Sequence, residues 1–358
     1  MTAPLLWKVT KVIRETPDTN TYLLEEVNGT PVTYDAGQFL TLLVQHNERE
    51  VRRSYSIRSA PGIDRNISIT IKRKENGEIS RYLLNTLQPG SVFNSLPASG
   101  LFTLQTHAAE TRPVILVAAG SGIVPVFSLL KKILQQQPLS PVLLIYQNRD
   151  EQNIIYRREL EQLQQQYEPR FKQVLLLSNP LHHETPPQRL NNWLFEKLLN
   201  DYRFGHFLLP EHIVHTPATA NSILYTCGPG PFMRMVQFTA RVMGFAETQL
   251  RKENFVIETI PPPAFVIDTA PRKVSLYFDN RQYEFSVSYP TTILQAALNH
   301  DIHLPYSCKG GRCGTCVARC TNGSVKMSIN DVLTEKDMEQ GLILTCVGFA
   351  ENDIRLEA

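Results

Sequence analysis

The chain has 358 residues, too many for one ordinary hydrophobic core, so two or three domains are expected. Composition is that of a globular protein, and the formal net charge of +2 gives no reason to expect a nucleic-acid partner. The N-terminal residues lack the pattern of a signal peptide. No run of about 18 apolar residues is present, so no membrane span is predicted. Six cysteines, with no disulfide framework indicated, favour a reducing, cytoplasmic location.

Residues 1–107 consist of short apolar runs separated by turn signals. Strands are predicted at 5–14, 19–26, 39–45, 53–59 and 66–74, where β-branched or alternating apolar residues recur. Asn-Gly and Pro-Gly pairs separate them. Several short strands of this kind predict a small antiparallel β-barrel.

Two motifs in this barrel indicate a ligand. Arg53-Ser-Tyr55-Ser56 lies on a predicted strand, and a G-x-x-S segment follows at Gly77. Alone, the first motif is weak, because arginine and tyrosine on a strand are commonly a solvated charge and a packed ring. The two motifs in this order resemble the ferredoxin–NADP reductase superfamily, in which R-x-Y-S binds the flavin.

The resemblance implies a role for each of these residues. Arg53 would pair with a flavin phosphate, Tyr55 would pack on the isoalloxazine ring, and Ser56 would hydrogen-bond near flavin N5. Groups at the start of the next helix would bind the pyrophosphate, namely those of Gly77, Ile79 and Ser80. Because the G-x-x-S segment is present, the family pattern favours FAD over FMN.

Residues 108–258 alternate between strands and helices. Strands are predicted at 113–119, 142–146 and 173–177, and helices at 126–136 and up to 167. The first strand is a continuous apolar run, which is typical of a strand buried on both faces. This alternation predicts an α/β domain with a parallel sheet, which binds ligands at the carboxyl ends of its strands.

Two glycine turns in this domain predict a nicotinamide site. Gly120 and Gly122 would let the backbone approach a pyrophosphate, although a lone Gly-x-Gly is more commonly a simple turn. Later in the chain, Cys227-Gly228-Pro229 resembles the C-G-P signature of the same superfamily. There the cysteine lies beside the nicotinamide ring; a small buried hydrophobic residue is the alternative for Cys227.

Two further positions each allow two interpretations. Glu253 matches the acidic residue that ends the reductase module in many relatives, and an exposed glutamate is the alternative. Arg149 follows the second strand, where the adenosine ribose is expected. It could pair with a 2′-phosphate, which favours NADPH over NADH, or it could be a solvated loop charge.

Two segments look like connections between elements. Residues 205–221 resemble a family-specific insertion, and we interpret its histidines as surface residues rather than metal ligands. These histidines are His206, His212 and His215. The Pro-rich residues 259–271 predict an extended, semi-rigid linker.

Residues 272–358 contain the most specific motif. Cysteines occur in a C-x4-C-x2-C pattern, with a fourth after 29 further residues; they are Cys308, Cys313, Cys316 and Cys346. This is the ligand spacing of a plant-type 2Fe–2S cluster, whereas structural zinc usually takes two C-x2-C pairs. Three glycines would let the loop wrap the cluster and direct N–H groups to sulfur, namely Gly310, Gly311 and Gly314.

The remainder of this segment resembles a plant-type ferredoxin, which implies an α+β, β-grasp domain. A hairpin is predicted around Asp279, and Thr292 is a predicted helix cap. We interpret Cys320 as structural and both His300 and His303 as surface residues. A set of acids could dock a basic partner or form a solvated face; it comprises Asp331, Glu335, Asp337 and Glu339.

Together the three parts predict an electron relay. NAD(P)H gives two electrons at once, a 2Fe–2S cluster takes one at a time, and a flavin handles both, so the flavin stands between them. This arrangement resembles the reductase components of bacterial oxygenases, most closely those of phenylacetyl-CoA epoxidases. We therefore expect a reductase that feeds a separate terminal oxygenase. The alternatives are a reductase for a hybrid-cluster protein or membrane desaturase, and a redox-responsive sensor.

Overall fold

The computed structural model describes residues 4–182, 184–201, 221–255 and 268–358. Most of the predicted linker at 259–271 therefore lies outside the described residues. The same holds for the three histidines of the 205–221 segment, His206, His212 and His215. Among the described helices, none has the length and apolar character needed to cross a membrane.

Residues 4–107, all of them described, form a six-stranded antiparallel sheet that curls into a barrel. The elements are β1 (Leu5–Thr16), β2 (Thr19–Glu26), β3 (Phe39–His46), β4 (Arg49–Ser56), β5 (Ile67–Lys72), α1 (Glu78–Thr86) and β6 (Val92–Ser95). The strand order is β4-β3-β6-β1-β2-β5, and a bridge between Ile57 and Ile69 joins the two edges. The predicted antiparallel architecture is confirmed. Strand β6 has only four residues, too few for a period-two pattern, and escapes prediction.

The described residues between 108 and 255 form a five-stranded parallel sheet in the order β11-β10-β7-β8-β9. Its strands are β7 (Val114–Ala119), β8 (Val142–Asn148), β9 (Phe171–Leu177), β10 (Ile223–Cys227) and β11 (Leu250–Glu253). The helices are α2 (Ile123–Gln136), α3 (Arg157–Tyr167), α4 (Asn192–Asp201) and α5 (Gly230–Val242). Alternate residues of β7 enter two separate apolar clusters, so both faces of the sheet are covered, as predicted. Helix α2 begins earlier than predicted because Pro125 is tolerated in a first helical turn.

The barrel and the parallel sheet share one hydrophobic core. Ala36, Phe102 and Leu104 of the barrel belong to the same cluster as α2 and β7. Hydrogen bonds reinforce this contact, among them Tyr225 Oη to the Thr103 carbonyl at 2.8 Å. The first two domains therefore form one reductase module with a buried apolar interface.

Residues 268–358, all described, form a five-stranded mixed sheet in the order β13-β12-β18-β14-β16 and a two-stranded sheet of β15 and β17. The elements are β12 (Arg272–Phe278), β13 (Arg281–Val287), α6 (Ile293–Asn299), β14 (Val317–Asn322), β15 (Val325–Met327), α7 (Glu335–Glu339), β16 (Leu342–Leu344), β17 (Gly348–Ala350) and β18 (Ile354–Glu357). Asp279 and Asn280 form the predicted hairpin turn with positive φ, and Thr292 caps α6 as predicted. The α+β architecture expected for a ferredoxin domain is confirmed.

Candidate functional site

A cavity of about 270 Å³ lies where the three domains meet. Strand β4 and the segment after β6 form one wall, the end of β11 forms another, and the loop of cysteines forms the third. The lining includes Arg53, Ser56, Glu253, Cys308 and Cys313. Residues expected to serve the flavin and residues expected to serve the cluster therefore meet in one space.

Ser56 and Glu253 form the inner wall of this cavity, and both are buried. Ser56 Oγ lies 3.5 Å from Glu253 Oε2, to which it donates a long hydrogen bond. Cys227 pairs in register with Glu253 on the neighbouring parallel strand and is fully buried. The structure thus places three of the four predicted catalytic residues together, and it excludes the exposed alternative for Glu253.

Burial governs the ionisation of the Glu253 carboxyl and the Cys227 thiol. It raises the pKa of Glu253 to about 8, an effect that the hydrogen bond from Ser56 only partly offsets. Burial, with the Glu253 charge as the smaller cause, raises the pKa of the Cys227 thiol well above its usual value. At neutral pH the Glu253 carboxyl is therefore largely protonated and able to donate a hydrogen bond, and Cys227 is a neutral thiol.

We expect Glu253→Gln to change how stability depends on pH. The Glu253 carboxyl has a pKa of 4.5 before burial and about 8 in the folded protein, so wild-type stability should fall as pH rises through this window. Glutamine does not titrate, so the variant loses this pH dependence. As pH rises from about 5 to about 8.5, the melting temperature of the variant should therefore increase by several degrees relative to that of the wild type at the same pH. The control Glu196→Gln alters an exposed acid of α4 and should follow the wild type; a pH-independent difference for Glu253→Gln would contradict the assignment.

The turns after β7 and β10 pack backbone against backbone. A Cβ at Gly122 would lie 2.1 Å from the Cys227 carbonyl oxygen, so only glycine fits there. Gly120 has φ +55°, and its carbonyl accepts a hydrogen bond from Tyr146 Oη at 3.2 Å. The structure therefore brings the predicted nicotinamide residues into one cradle: Gly120, Gly122, Cys227, Gly228 and Pro229.

Four described helices of the reductase module begin without a side-chain cap, and three of them follow a glycine or a proline. Helices α1, α2 and α5 follow Gly77, Gly122 and Pro229, none of which makes a capping hydrogen bond from its side chain. In the ferredoxin domain, by contrast, Thr292 and Thr334 cap α6 and α7. The first N–H groups of a helix lack intrahelical partners and favour anions. The uncapped termini therefore fit the phosphates of a flavin and a nicotinamide nucleotide.

Of the residues expected to bind the flavin, some line the cavity and others lie outside its lining. Arg53 is exposed in the cavity, where its guanidinium donates to the carbonyl of the preceding residue at 2.8 Å. Tyr55 packs against the barrel core, where burial raises the pKa of its hydroxyl. Ile79 belongs to that core, and Ser80 Oγ donates to the Gly77 carbonyl at 3.1 Å. Tyr55 and the start of α1 thus lie outside the cavity lining.

Arg149 lies apart from the cavity, at the end of β8. Its side chain is 75% exposed, and its Nε lies 3.9 Å from the Asp150 carboxylate. Asp150 accepts backbone N–H groups from Gln152 and Asn153, both at 3.1 Å, as the cap of a short 3₁₀ turn. The guanidinium is therefore accessible to a ligand, whereas the neighbouring carboxylate is already engaged.

The four predicted cluster ligands lie together as two hydrogen-bonded pairs, Cys308 with Cys313 and Cys316 with Cys346. Two thiols for each of two irons is the ligand set of a 2Fe–2S cluster. Backbone N–H groups point at sulfur, as such a cluster requires; that of Gly310 donates to Cys308 Sγ at 3.3 Å. Within the described residues, no three His, Cys, Asp or Glu side chains converge on a position for one metal ion.

One thiol of each pair favours the thiolate form that binds metal, whereas its partner, Cys313 or Cys346, has its pKa raised by the same hydrogen bond and by burial. The Cys313 thiol, together with backbone N–H groups, lowers the pKa of Cys308 to about 6. The Cys346 thiol likewise lowers the pKa of Cys316. Gly311 has φ +68°, and a Cβ there would lie 2.8 Å from the Ile329 carbonyl oxygen, so glycine is required. The chemistry of this donor set therefore fits an iron–sulfur cluster.

Residues near the loop take the places that the sequence predicts for them. Cys320 lies on β14, where its Sγ donates to the Asn322 carbonyl at 3.3 Å rather than joining the two pairs. His300 and His303 are exposed. None of the three faces the cluster ligands as a further member of the set.

Several residues at the contact between the reductase module and the ferredoxin domain belong to no sequence motif, so the sequence did not predict their role. Ser54 Oγ and Ser307 Oγ lie 2.5 Å apart, and Lys252 reaches Asp331 at 3.3 Å. The solvated face proposed for the acids is wrong for Asp331, whose side chain is only 26% exposed. These contacts join distant parts of the chain, so no local pattern indicates them.

Family models match all three domains. Residues 7–103 match an oxidoreductase FAD-binding domain, residues 116–238 an oxidoreductase NAD-binding domain, and residues 276–351 a 2Fe-2S iron-sulfur cluster binding domain. The phthalate dioxygenase reductase structure has the same architecture, with a TM-score of 0.58, 22% identity and coverage of 99% of this chain and 98% of that one.

Curated relatives match over nearly the whole chain. The ferredoxin reductase component of 3-ketosteroid-9-alpha-monooxygenase from Mycolicibacterium smegmatis is 30% identical over 95% of this chain and 92% of its own length. One of the subunits of 1,2-phenylacetyl-CoA epoxidase from Escherichia coli is 30% identical over 94% of this chain and 92% of its own length. The chain therefore belongs to the family of oxygenase reductase components that join FAD-binding, NAD-binding and 2Fe–2S domains in one polypeptide.

Proposed function

We propose that this chain takes electrons from NAD(P)H, passes them through FAD to a 2Fe–2S cluster, and delivers them to a separate oxygenase. The observation that carries the proposal is the shared cavity, with Ser56 and Glu253 on one side and Cys308 and Cys313 on the other. A relay needs its carriers close together, and the protein contributes their orientation and electrostatics.

When bound, FAD accepts the electron pair of NAD(P)H and releases single electrons to the cluster. In our proposal Arg53 neutralises a flavin phosphate and Tyr55 supports the isoalloxazine ring. Ser56 and the protonated Glu253 offer hydrogen bonds at the buried wall. The start of α1 binds the pyrophosphate through Gly77, Ile79 and Ser80, and the Ser80 hydroxyl exchanges its bond to the Gly77 carbonyl for one to the phosphate.

The nicotinamide nucleotide is held by the two glycine turns. The cradle residues are Gly120, Gly122, Gly228 and Pro229, and the uncapped starts of α2 and α5 bind phosphate charge. Cys227, as a neutral and fully buried thiol, shapes the place of the nicotinamide ring without adding charge. The metal ligands are Cys308, Cys313, Cys316 and Cys346.

We place the FAD domain at 1–107, the nucleotide domain at 108–258, the linker at 259–271 and the ferredoxin domain at 272–358. The family matches at 7–103, 116–238 and 276–351 fall inside these limits and support them. We also propose a cytoplasmic location, because all six cysteines are free in the structure and a reducing compartment keeps cluster thiols available.

The acceptor is the part of the proposal that similarity leaves open. Relatives named for a ketosteroid monooxygenase and for phenylacetyl-CoA epoxidase are both 30% identical to this chain, and one named for glycine betaine monooxygenase is 25% identical. We propose an oxygenase of the phenylacetyl-CoA epoxidase type as the first to test. Product formation with each purified oxygenase, this chain and NAD(P)H distinguishes the three.

An anaerobic titration of the purified protein with NADPH, and separately with NADH, tests the relay itself. Flavin and iron–sulfur absorbance should both bleach, and the rates identify the preferred nucleotide. Bleaching of the flavin alone would contradict the cluster assignment. If neither band responded to either nucleotide, the assignment of the glycine cradle would be wrong.

We expect Arg149→Ala to lower kcat/KM for NADPH by about tenfold while changing that for NADH less than about twofold. The exposed guanidinium is suited to a 2′-phosphate, whereas the Asp150 side chain is only 10% exposed and caps a short turn through Oδ1. Steady-state kinetics with both nucleotides measure this selectivity. Arg241→Ala, at the far end of α5, is the charge-matched control. Equal losses with both nucleotides would argue against the phosphate contact.

A further inference from the structure

The ferredoxin domain touches the reductase module through a surface unlike the barrel–sheet contact. Its core cluster runs from Val274 to Leu356 and, among the described residues, draws no member from the other two domains. The barrel and the parallel sheet, by contrast, share one apolar cluster. A mainly polar contact between separately cored domains is typical of a reversible interface.

Asp331 is the charged centre of this contact. Its carboxylate lies 3.3 Å from Lys252 Nζ and 3.3 Å from Asn254 Nδ2, the residues on either side of Glu253. It also lies 3.2 Å from Arg312 Nε in the cysteine loop, and its backbone N–H donates to the Gly311 carbonyl at 3.1 Å. Asp331 therefore links the end of β11 directly to the loop that holds the cluster ligands.

Polar and aromatic contacts surround the same loop. The Arg52 guanidinium lies 4.1 Å from the centre of the Tyr306 ring, which adds a cation–π contact. Hydroxyl groups meet twice, at 2.5 Å between Ser54 and Ser307 and at 3.3 Å between Ser99 and Thr315. Every one of these ferredoxin residues lies within a few positions of a cluster cysteine in the sequence.

This docked surface is also the accessible side of the cysteine loop. Cys308 and Cys313 are half-buried and line the cavity, whereas Cys316 and Cys346 are buried in the ferredoxin core. The reductase module therefore covers the side by which another protein would come closest to the cluster. An external acceptor that uses this side can do so only after the ferredoxin domain has left the module.

Charge complementarity indicates what such an acceptor presents. The reductase module offers Lys252 and Arg52 at this contact, and the ferredoxin domain offers Asp331 together with its own cations Arg312 and Lys309. Asp331 is the acid that faces Lys252, so a protein that replaces the module on the same face complements it by bringing a cationic side chain to that carboxylate.

We propose that Asp331 is the positioning residue of a shared docking face. It holds the ferredoxin domain on the reductase module through Lys252 and Asn254. After undocking, it pairs with a basic side chain of the acceptor protein. The inference rests on the proposed relay but concerns which surface each partner of the ferredoxin domain uses.

Two variants of the holoenzyme separate the internal contact from the external one. Asp331→Asn removes the charge from the ferredoxin side, and Lys252→Gln removes it from the module alone. Glu339→Gln neutralises an exposed acid of α7 and is the control for net charge. Cytochrome c serves as the acceptor probe. Stopped-flow absorbance reports flavin reduction and cluster reduction separately.

We expect cluster reduction to slow about three- to tenfold in both variants at low ionic strength, and the difference to shrink as salt screens the wild-type contact. Flavin reduction in Asp331→Asn should match the wild type. The kcat/KM for cytochrome c should fall about three- to tenfold in Asp331→Asn and should not fall in Lys252→Gln. Small-angle X-ray scattering should show a larger radius of gyration for both variants at low salt.

Other results would overturn the inference. Wild-type rates of cluster reduction and a wild-type radius of gyration in both variants would show that Asp331 does not hold the dock. An unchanged kcat/KM for cytochrome c in Asp331→Asn would show that the acceptor uses another face. Failure of the relay itself is distinct, because the wild-type cluster would then not be reduced at all.

Discussion

Cys346→Ser is expected to lower NAD(P)H-driven reduction of cytochrome c by about 100-fold or more, because a serine oxygen is a poor substitute for a cluster thiolate. Cys346 is buried and pairs with Cys316, so its loss leaves one pair incomplete. The iron–sulfur absorbance should disappear. Reduction of the flavin by the nucleotide should continue, because Ser56, Glu253 and the glycine cradle are untouched.

Cys308→Ser removes a ligand from the other pair and should give the same result. The test therefore does not depend on the buried Cys346 alone. Cys320→Ser is the matched control, because that thiol bonds to the Asn322 carbonyl on β14 and belongs to neither pair. Iron content, visible spectra and the two reduction rates measure the effect. Loss of the cluster in Cys320→Ser, or loss of flavin reduction in folded Cys346→Ser, would contradict the ligand set and the order of the relay.

The parts of the fold that follow from local pattern were predictable. The spacing of Cys308, Cys313 and Cys316 places three ligands on one short loop, and the positive φ at Gly311 and Gly314 is a local property of that loop. The apolar run of β7 similarly predicts a strand buried on both faces. The hairpin at Asp279–Asn280 and the cap at Thr292 depend on neighbouring residues alone.

The shared cavity was not predictable, because it depends on contacts between domains. Glu253 matched a family position, but whether it was buried depended on how β11 packs between β10 and the barrel. Its raised pKa is a consequence of that packing rather than of any neighbour in sequence. Asp331 looked like one acid among four near α7, and its partners Lys252 and Arg312 became evident only in the folded chain.

Gly122→Ala is expected to lower kcat/KM for the nicotinamide nucleotide by about 100-fold, because displacement of a binding turn by about 1 Å can have such an effect. The added Cβ would lie 2.1 Å from the Cys227 carbonyl oxygen and 2.5 Å from its carbon. Both of those atoms are backbone, so no side chain can rotate away. The turns after β7 and β10 would have to separate, and the cradle for the pyrophosphate would open.

The measurement compares the rate at which the nucleotide reduces the flavin with the flavin content and the melting temperature. Flavin content should remain, because Arg53 and the start of α1 lie on the barrel. Gly244→Ala is the control: this glycine has φ +96° in the same domain, but nothing lies within 4 Å of its added Cβ. The control should lose about 1 kcal/mol of stability to backbone strain and retain its reduction rate. A Gly122→Ala variant that reduced its flavin as fast as the Gly244→Ala control would show that the close contact between the two turns does not form the nucleotide site.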